Sequence, residues 1–159
     1  MSIIIYTDGA AKGNPGRGGY GAVLISGKHR KELFQGFRLT TNNRMELLAV
    51  IVALEAINNR AAKTIIYSDS KYVVDSIEKN WVFKWEKTNF KNKKNPDLWI
   101  RFLAIYKTID VSFVWVKGHN NTVENERCDF LAVKASEGEV LEHDHWYENN
   151  IAKKDGRLF

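Results

Sequence analysis

Apolar and polar positions follow two different periods along this chain, and the changes of period divide it into elements. Residues 2–7 are almost wholly β-branched or aromatic, the pattern of a central strand buried on both faces. A glycine-rich stretch over 13–21 leads into a second strand at 22–25. After a turn near Gly27, Leu33, Gln35, Phe37 and Leu39 alternate as a third strand should. The period then becomes helical over 45–57, where Leu47, Leu48, Ile51, Leu54 and Ile57 form a broad apolar face. A short buried strand follows at 64–68, a helix at 70–79, a helix opened by Pro96 at 97–107, a strand at 111–116 and a last helix at 124–135. Strands joined by short turns favour antiparallel pairing, and strands separated by helices favour parallel crossovers. The pattern predicts an α/β fold with a mixed sheet flanked by helices. From Glu137 onward the chain is polar and mixed, which predicts a loosely held tail over 137–159.

Length and charge narrow the class. At 159 residues the chain fits one domain able to bury a core without disulfides, and its single cysteine, Cys128, excludes an internal disulfide. No stretch resembles a signal peptide or a membrane span, so a cytoplasmic monomer with no membrane partner is expected. The net charge of +5 is concentrated: between residues 79 and 94 there are six lysines and one acid, Glu86, and the remainder is neutral. Trp81, Phe83, Trp85 and Phe90 interleave with these lysines. Lysines neutralise phosphates and aromatic rings pack on sugars or bases, so a handle at about 79–95 suits a nucleic acid. The structural alternative is a solvated helix whose rings face the core.

Four acids stand out, each with a structural alternative. Asp8 and Asp69 end apolar strands, where sites gather in open α/β sheets. Asp8 could instead serve a turn with Gly9, and Asp69 could cap the helix that follows it. Glu46 falls three residues after Asn43, where it could close a capping box. Asp129 sits inside a helix, a poor place for aspartate unless function or solvent exposure explains it. The string Gly-Arg-Gly-Gly-Tyr-Gly at 16–21 matches a dinucleotide fingerprint, but seven residues separate it from Asp8 and a strand follows it, so it is rejected. Those glycines are read as a hairpin that lets backbone approach a ligand. His119, in a polar loop, could shuttle protons beside acids. His143 and His145 flank Asp144 and could take a metal, although an exposed tail is the preferred reading.

Taken together, these strings resemble one family, ribonuclease H of type 1. They are Tyr-Thr-Asp-Gly at 6–9, Gly-Asn-Pro-Gly at 13–16, Gly-Gly-Tyr-Gly at 18–21 and Thr-Thr-Asn-Asn-Arg-Met-Glu-Leu at 40–47. Ser-Asp-Ser at 68–70, Trp-Val-Lys-Gly-His at 115–119 and Glu-Asn-Glu-Arg-Cys-Asp at 124–129 complete the set. They stand in the family's order and cover a catalytic domain over 1–136. The resemblance implies a ribonuclease H-like fold with a five-stranded mixed sheet, and endonucleolytic cleavage of RNA in an RNA–DNA hybrid. It implies two Mg2+ ions, with Mn2+ an alternative, held by Asp8, Glu46, Asp69 and Asp129, and an accessory role for His119. One ion would activate water and the second would stabilise the leaving 3′ oxygen, giving a 5′-phosphate.

The resemblance further assigns Asn14, Asn42 and Asn43 to the hybrid's minor groove and Thr41 to a phosphate of the DNA strand. Trp81 and Trp85 with Lys84 and Lys87 would form the substrate-binding handle. Lys71 stands where the family often has glutamine, turning an amide contact into a phosphate contact. The loop after His119 lacks the usual glycine and proline, the handle is several residues shorter, and the tail from Glu137 has no counterpart. Related integrases or resolvases are disfavoured by the asparagine string, and a non-catalytic hybrid-binding module by the presence of all four acids.

Overall fold

The computed structural model describes residues 2–117 and 122–153. Three long antiparallel strands come first: β1 (Ile3–Lys12), β2 (Gly16–Ser26) and β3 (His29–Thr40). Helix α1 (Asn42–Glu55), strand β4 (Thr64–Ser68) and helix α2 (Lys71–Glu78) follow. Then come α3 (Trp81–Lys87), α4 (Pro96–Tyr106), β5 (Val111–Trp115) and α5 (Val123–Glu137). The chain continues through β6 (Leu141–Glu142), α6 (His145–Tyr147) and a π-helical turn (Glu148–Ala152). The sheet order is β5-β4-β1-β2-β3-β6, with β1, β4 and β5 mutually parallel. The sheet has six strands where five are expected, because the two residues of β6 add to the edge of β3. No helix among the described residues is long and apolar enough to cross a membrane.

The two faces of the sheet are covered differently. On one face α1 lies against β1 and β2 with α4 behind it, so it is enclosed on nearly all sides, and ten of its fourteen residues are buried. Ile5, Leu47, Ile51, Ile66, Trp99, Phe102 and Phe113 form the main core there. On the other face α5 crosses β1, β2 and β3, packing Cys128 and Leu131 onto Val23. This approach explains the glycine-rich stretch. A Cβ on Gly21 would lie 2.4 Å from the Cys128 carbonyl oxygen, and one on Gly36 would lie 2.0 Å from that of Ala135. Gly21 therefore admits a helix rather than a ligand; Gly13, with φ of +76°, and Gly16, where a Cβ would lie 1.8 Å from the Lys12 carbonyl oxygen, serve the turn itself.

The segment after α5 departs most from expectation. Instead of a loose tail, residues 141–153 pack back onto the sheet and α1. Asp144 is buried against Arg44 at 2.7 Å, and Glu148 is buried against Arg38. A polar composition signals solvent only when its charges have no partners, and these partners lie about a hundred residues earlier. His143 and His145 are exposed, but the Asp144 between them is not free to join a metal site.

The basic segment divides between its two readings. Val82 and Phe90 are buried, Phe83 packs on Tyr106 and Trp85 meets Trp99 edge-on at 6.1 Å. The six lysines remain exposed, and Trp81 is 40% exposed beneath the Lys79 amine. Alternate rings fasten the segment to the core, and its charges face outward.

Candidate active site

Parallel pairing of β1 with β4 ends at Thr7 opposite Ser68, so the next residue of each strand, Asp8 and Asp69, emerges at one point of the sheet. Asp8 does not end its strand, as the apolar pattern suggests: β1 runs on to Lys12 as the partner of β2, with Asp8 opposite Gly21. Asp69 does not cap α2 either. The Ser70 hydroxyl does so, accepting from the Val73 N–H at 3.2 Å. Asp69 is left free of that local duty.

Glu46 arrives from above on α1. Thr41 caps this helix, accepting from the Arg44 N–H at 3.2 Å, so Glu46 lies beyond the capping-box position assigned from Asn43. Its carboxylate accepts instead from the Gly9 N–H of β1. The crossing is possible because residue 9 has no side chain: a Cβ there would sit 2.3 Å from the Glu46 backbone nitrogen. One carboxylate oxygen each from Asp8, Glu46 and Asp69 then lie within 4.8 Å of one another. Asp129, on α5, lines the same cleft of about 520 Å³, together with Asn42, Asn43, Lys71 and Lys117.

The electrostatics of this cleft are those of crowded acids. Burial pushes the Asp8 carboxyl up to about 7, aided by the charges of Asp69 and Asp129, and hydrogen bonds with Glu46 and Gly9 only partly oppose it. Glu46 is held well above the ordinary carboxylate range, first by burial and then by the charge of Asp8 beside it. Among the described residues no lysine or arginine forms an ion pair with any of the four acids. Hard oxygen donors, gathered and uncompensated, fit a divalent cation of the magnesium or manganese type.

The other expected residues fall into three groups. Asn42, Asn43 and Lys71 line the cleft, and exposed Asn14 bonds the start of α1, its side-chain oxygen accepting from the Asn42 N–H at 3.2 Å. Thr41 spends its hydroxyl on the cap. Trp81, Lys84, Trp85 and Lys87 lie on α3, outside the cleft lining, and Trp85 is largely engaged with Trp99 and the Lys93 amine. His119 lies outside the described residues. Sequence reasoning passed over Asn125 and Glu126, which also line the cleft. Their spacing could have found them, since residues three and four before Asp129 share its helix face.

Comparison with known proteins agrees with this geometry. The family model described as RNase H matches residues 1–137. A ribonuclease H of Rippkaea orientalis is 55% identical over 152 residues, covering 92% of this chain and 93% of that protein. Among solved structures, LC9-RNase H1, a type 1 RNase H with the type 2 active-site motif, superposes with a TM-score of 0.78. It is 26% identical, over 98% of this chain and 84% of that one. LC11-RNase H1, solved in complex with an RNA/DNA hybrid, has a TM-score of 0.62 at 27% identity, over 85% of this chain and 96% of its own. The acids gathered where β1, β4, α1 and α5 converge are thus set in a scaffold shared with these enzymes, and the chain belongs to the RNase H family.

Proposed function

We propose that this protein is an endoribonuclease that hydrolyses the RNA strand of RNA–DNA hybrids, leaving 5′-phosphate and 3′-hydroxyl ends. The observation that carries the reading is the convergence of Asp8, Glu46 and Asp69 within 4.8 Å, with no cationic side chain paired to them among the described residues. Asp8, Glu46, Asp69 and Asp129 would hold two divalent cations, Mg2+ with Mn2+ as the alternative. Such ions, when bound, supply Lewis-acid activation of the attacking water and of the leaving 3′ oxygen. The Gly9 N–H keeps the Glu46 carboxylate aimed into the cleft. In the reaction a water oxygen bonds to phosphorus, the P–O3′ bond breaks, and the 3′ oxygen takes a proton. His119 is the candidate accessory group for moving protons there.

Substrate choice rests on the cleft rim. Asn42 and Asn43 offer amides that both donate and accept, which suits 2′-hydroxyls and base edges in a minor groove. Asn14, bonded to the Asn42 backbone, ties the β1–β2 turn into the same strip. Lys71, at the rim, and Trp81, Lys84 and Lys87, on α3, would meet the duplex backbone. The test is cleavage of labelled RNA–DNA hybrid, single-stranded RNA, duplex RNA and duplex DNA, each with magnesium or EDTA. Magnesium-dependent cutting of the hybrid's RNA strand alone is expected. Equal cutting of duplex DNA would overturn the reading. Asp8→Asn should remove cleavage and leave hybrid binding in place.

A further inference from the structure

Trp115, the last residue of β5, belongs to none of the roles above, yet it touches two residues of the cleft. Its indole N–H donates to the Asp69 backbone carbonyl at 3.1 Å. The face of its ring lies 4.9 Å from the Lys71 amine. The indole is 41% exposed. We propose that Trp115 is a positioning residue of this site, fixing the Asp69 backbone through its N–H and holding Lys71 toward the substrate backbone through its ring.

The last parallel pair of β4 with β5 is Ser68 opposite Trp115, and the Val116 N–H donates to the Ser68 carbonyl at 2.9 Å. One residue later the ladder has ended. Helix α2 has not yet begun, since Ser70 is its cap and the Ser70 carbonyl receives the Val74 N–H at 3.0 Å. Asp69 therefore sits in the gap between a strand and a helix, and the indole N–H of the neighbouring strand reaches across that gap. A ligand carboxylate is only as well placed as the backbone that carries it, and groups behind a metal ligand tune its affinity for the ion.

The ring face does the second task. A lysine has a flexible stem with many rotamers, and an ammonium over an indole gains attraction that narrows them. Lys71 lines the cleft from the first turn of α2, so restricting it to the Trp115 face keeps its charge at the rim instead of in bulk water.

The inference rests on the nuclease reading, and the variants separate the two. Trp115→Phe keeps a ring and removes the indole N–H; Trp115→Leu removes both; Trp115→Tyr is the substitute should the phenylalanine variant fail to fold. Magnesium affinity is read without substrate, by calorimetric titration. Hybrid affinity is read in EDTA by fluorescence anisotropy, and kcat and KM are read with saturating magnesium. For Trp115→Phe the expected result is magnesium affinity weakened about tenfold, the lower end of the range for groups supporting a metal ligand. Its hybrid affinity in EDTA should match the parent's. Trp115→Leu should also weaken hybrid binding as much as Lys71→Ala does, and Lys71→Ala should add nothing in the Trp115→Leu background. Parental magnesium affinity in Trp115→Phe, or multiplicative effects of Lys71→Ala and Trp115→Leu on hybrid binding, would overturn the proposal. Loss of the nuclease reading would appear differently, as a parent protein that binds magnesium but does not cut the hybrid.

Discussion

Arg44 and Glu46 stand two residues apart on α1, both almost fully buried, and their surroundings are opposite in kind. Around Arg44, Asp97 accepts two hydrogen bonds at 2.7 and 2.9 Å and Asp144 two more at 2.7 and 2.9 Å. Asn95 accepts a fifth at 3.3 Å, and the Trp146 ring lies 5.1 Å away. Burial alone would lower the Arg44 pKa, but these carboxylates outweigh it and raise it. Around Glu46 the neighbours are Asp8 and Asp69, with the same charge and no cation among the described residues. One cluster finds its counter-charge within the chain and the other has none among the described residues. A buried charge whose partners are all present serves the fold, and buried charges that repel mark a site.

The hardest break of this contrast is Arg44→Met. It would leave Asp97 and Asp144 without their cation, and removing one partner of a buried ion pair costs about 3–5 kcal/mol. Urea unfolding should register a loss of that size, and the segment from β6 onward should gain amide exchange, because Asp144 anchors it to α1. A loss no larger than that of a surface substitution would show that the cluster is not what holds the tail.

Next in size is the pH response of the metal-free protein. Asp8 titrates at about 7 in the folded state and near the ordinary aspartate value when unfolded. Between those values the folded state binds more protons than the unfolded state, so stability must fall as pH rises. Glu46, also raised, adds to the same trend. A window from about pH 4 to pH 7 should carry a decline on the order of 2–4 kcal/mol, less whatever the Asp8–Glu46 hydrogen bond recovers. Glu148 is shifted the other way, by its hydrogen bonds to Arg38, so its contribution fades only at more acid pH. Asp8→Asn should flatten most of the slope. A slope unchanged by that substitution would mean the acids are less crowded than the geometry indicates.

Magnesium should then reverse the decline. At a hundredfold excess over its dissociation constant, an ion that binds only the folded state adds about 2.7 kcal/mol. The gain in melting temperature should be larger at pH 8 than at pH 5, because binding requires ionised carboxylates. Equal gains at both values would separate magnesium binding from this cluster.

The two clusters also differ in how far the amino-acid sequence discloses them. Asp69 and Asp129 sit in short strings whose periodicity places them after a strand and on a helix, and those elements form near the expected positions, whereas Asp8 lies within a β1 that runs on to Lys12. What the periodicity leaves out is partnership at long range. Glu46 looks like a local cap until Gly9, 37 residues earlier, proves to be its hydrogen-bond donor. Asp144 looks solvated between two histidines until α1 supplies Arg44, 100 residues away. The glycines of β2 are visible as a pattern, but the cause of Gly19 and Gly21 is the approach of α5, which no local window contains. Trp115 likewise reads as one more strand residue, since its contact with Asp69 depends on the register of β4 and β5.

The smallest effect is the most pointed. Asp144→Asn keeps the shape of the side chain, and Arg44 keeps Asp97, so a +1/−1 pair remains where two carboxylates had shared one guanidinium. The Thr40 hydroxyl, now 2.7 Å from Asp144, can still find an acceptor in the amide oxygen. The expected loss is about 1–2 kcal/mol, because a charge-assisted hydrogen bond weakens to a neutral one and the amide nitrogen leaves one of the three donors on Asp144 without its acceptor. The same chemical change at Asp8, tested at pH 8 without metal, should raise stability, because it removes a charge from a group of like charges. Aspartate to asparagine thus has opposite signs at a half-buried and a buried position reached from one helix. If both substitutions destabilise, the carboxylate cluster is compensated by something other than a bound cation, and the contrast between the two regions fails.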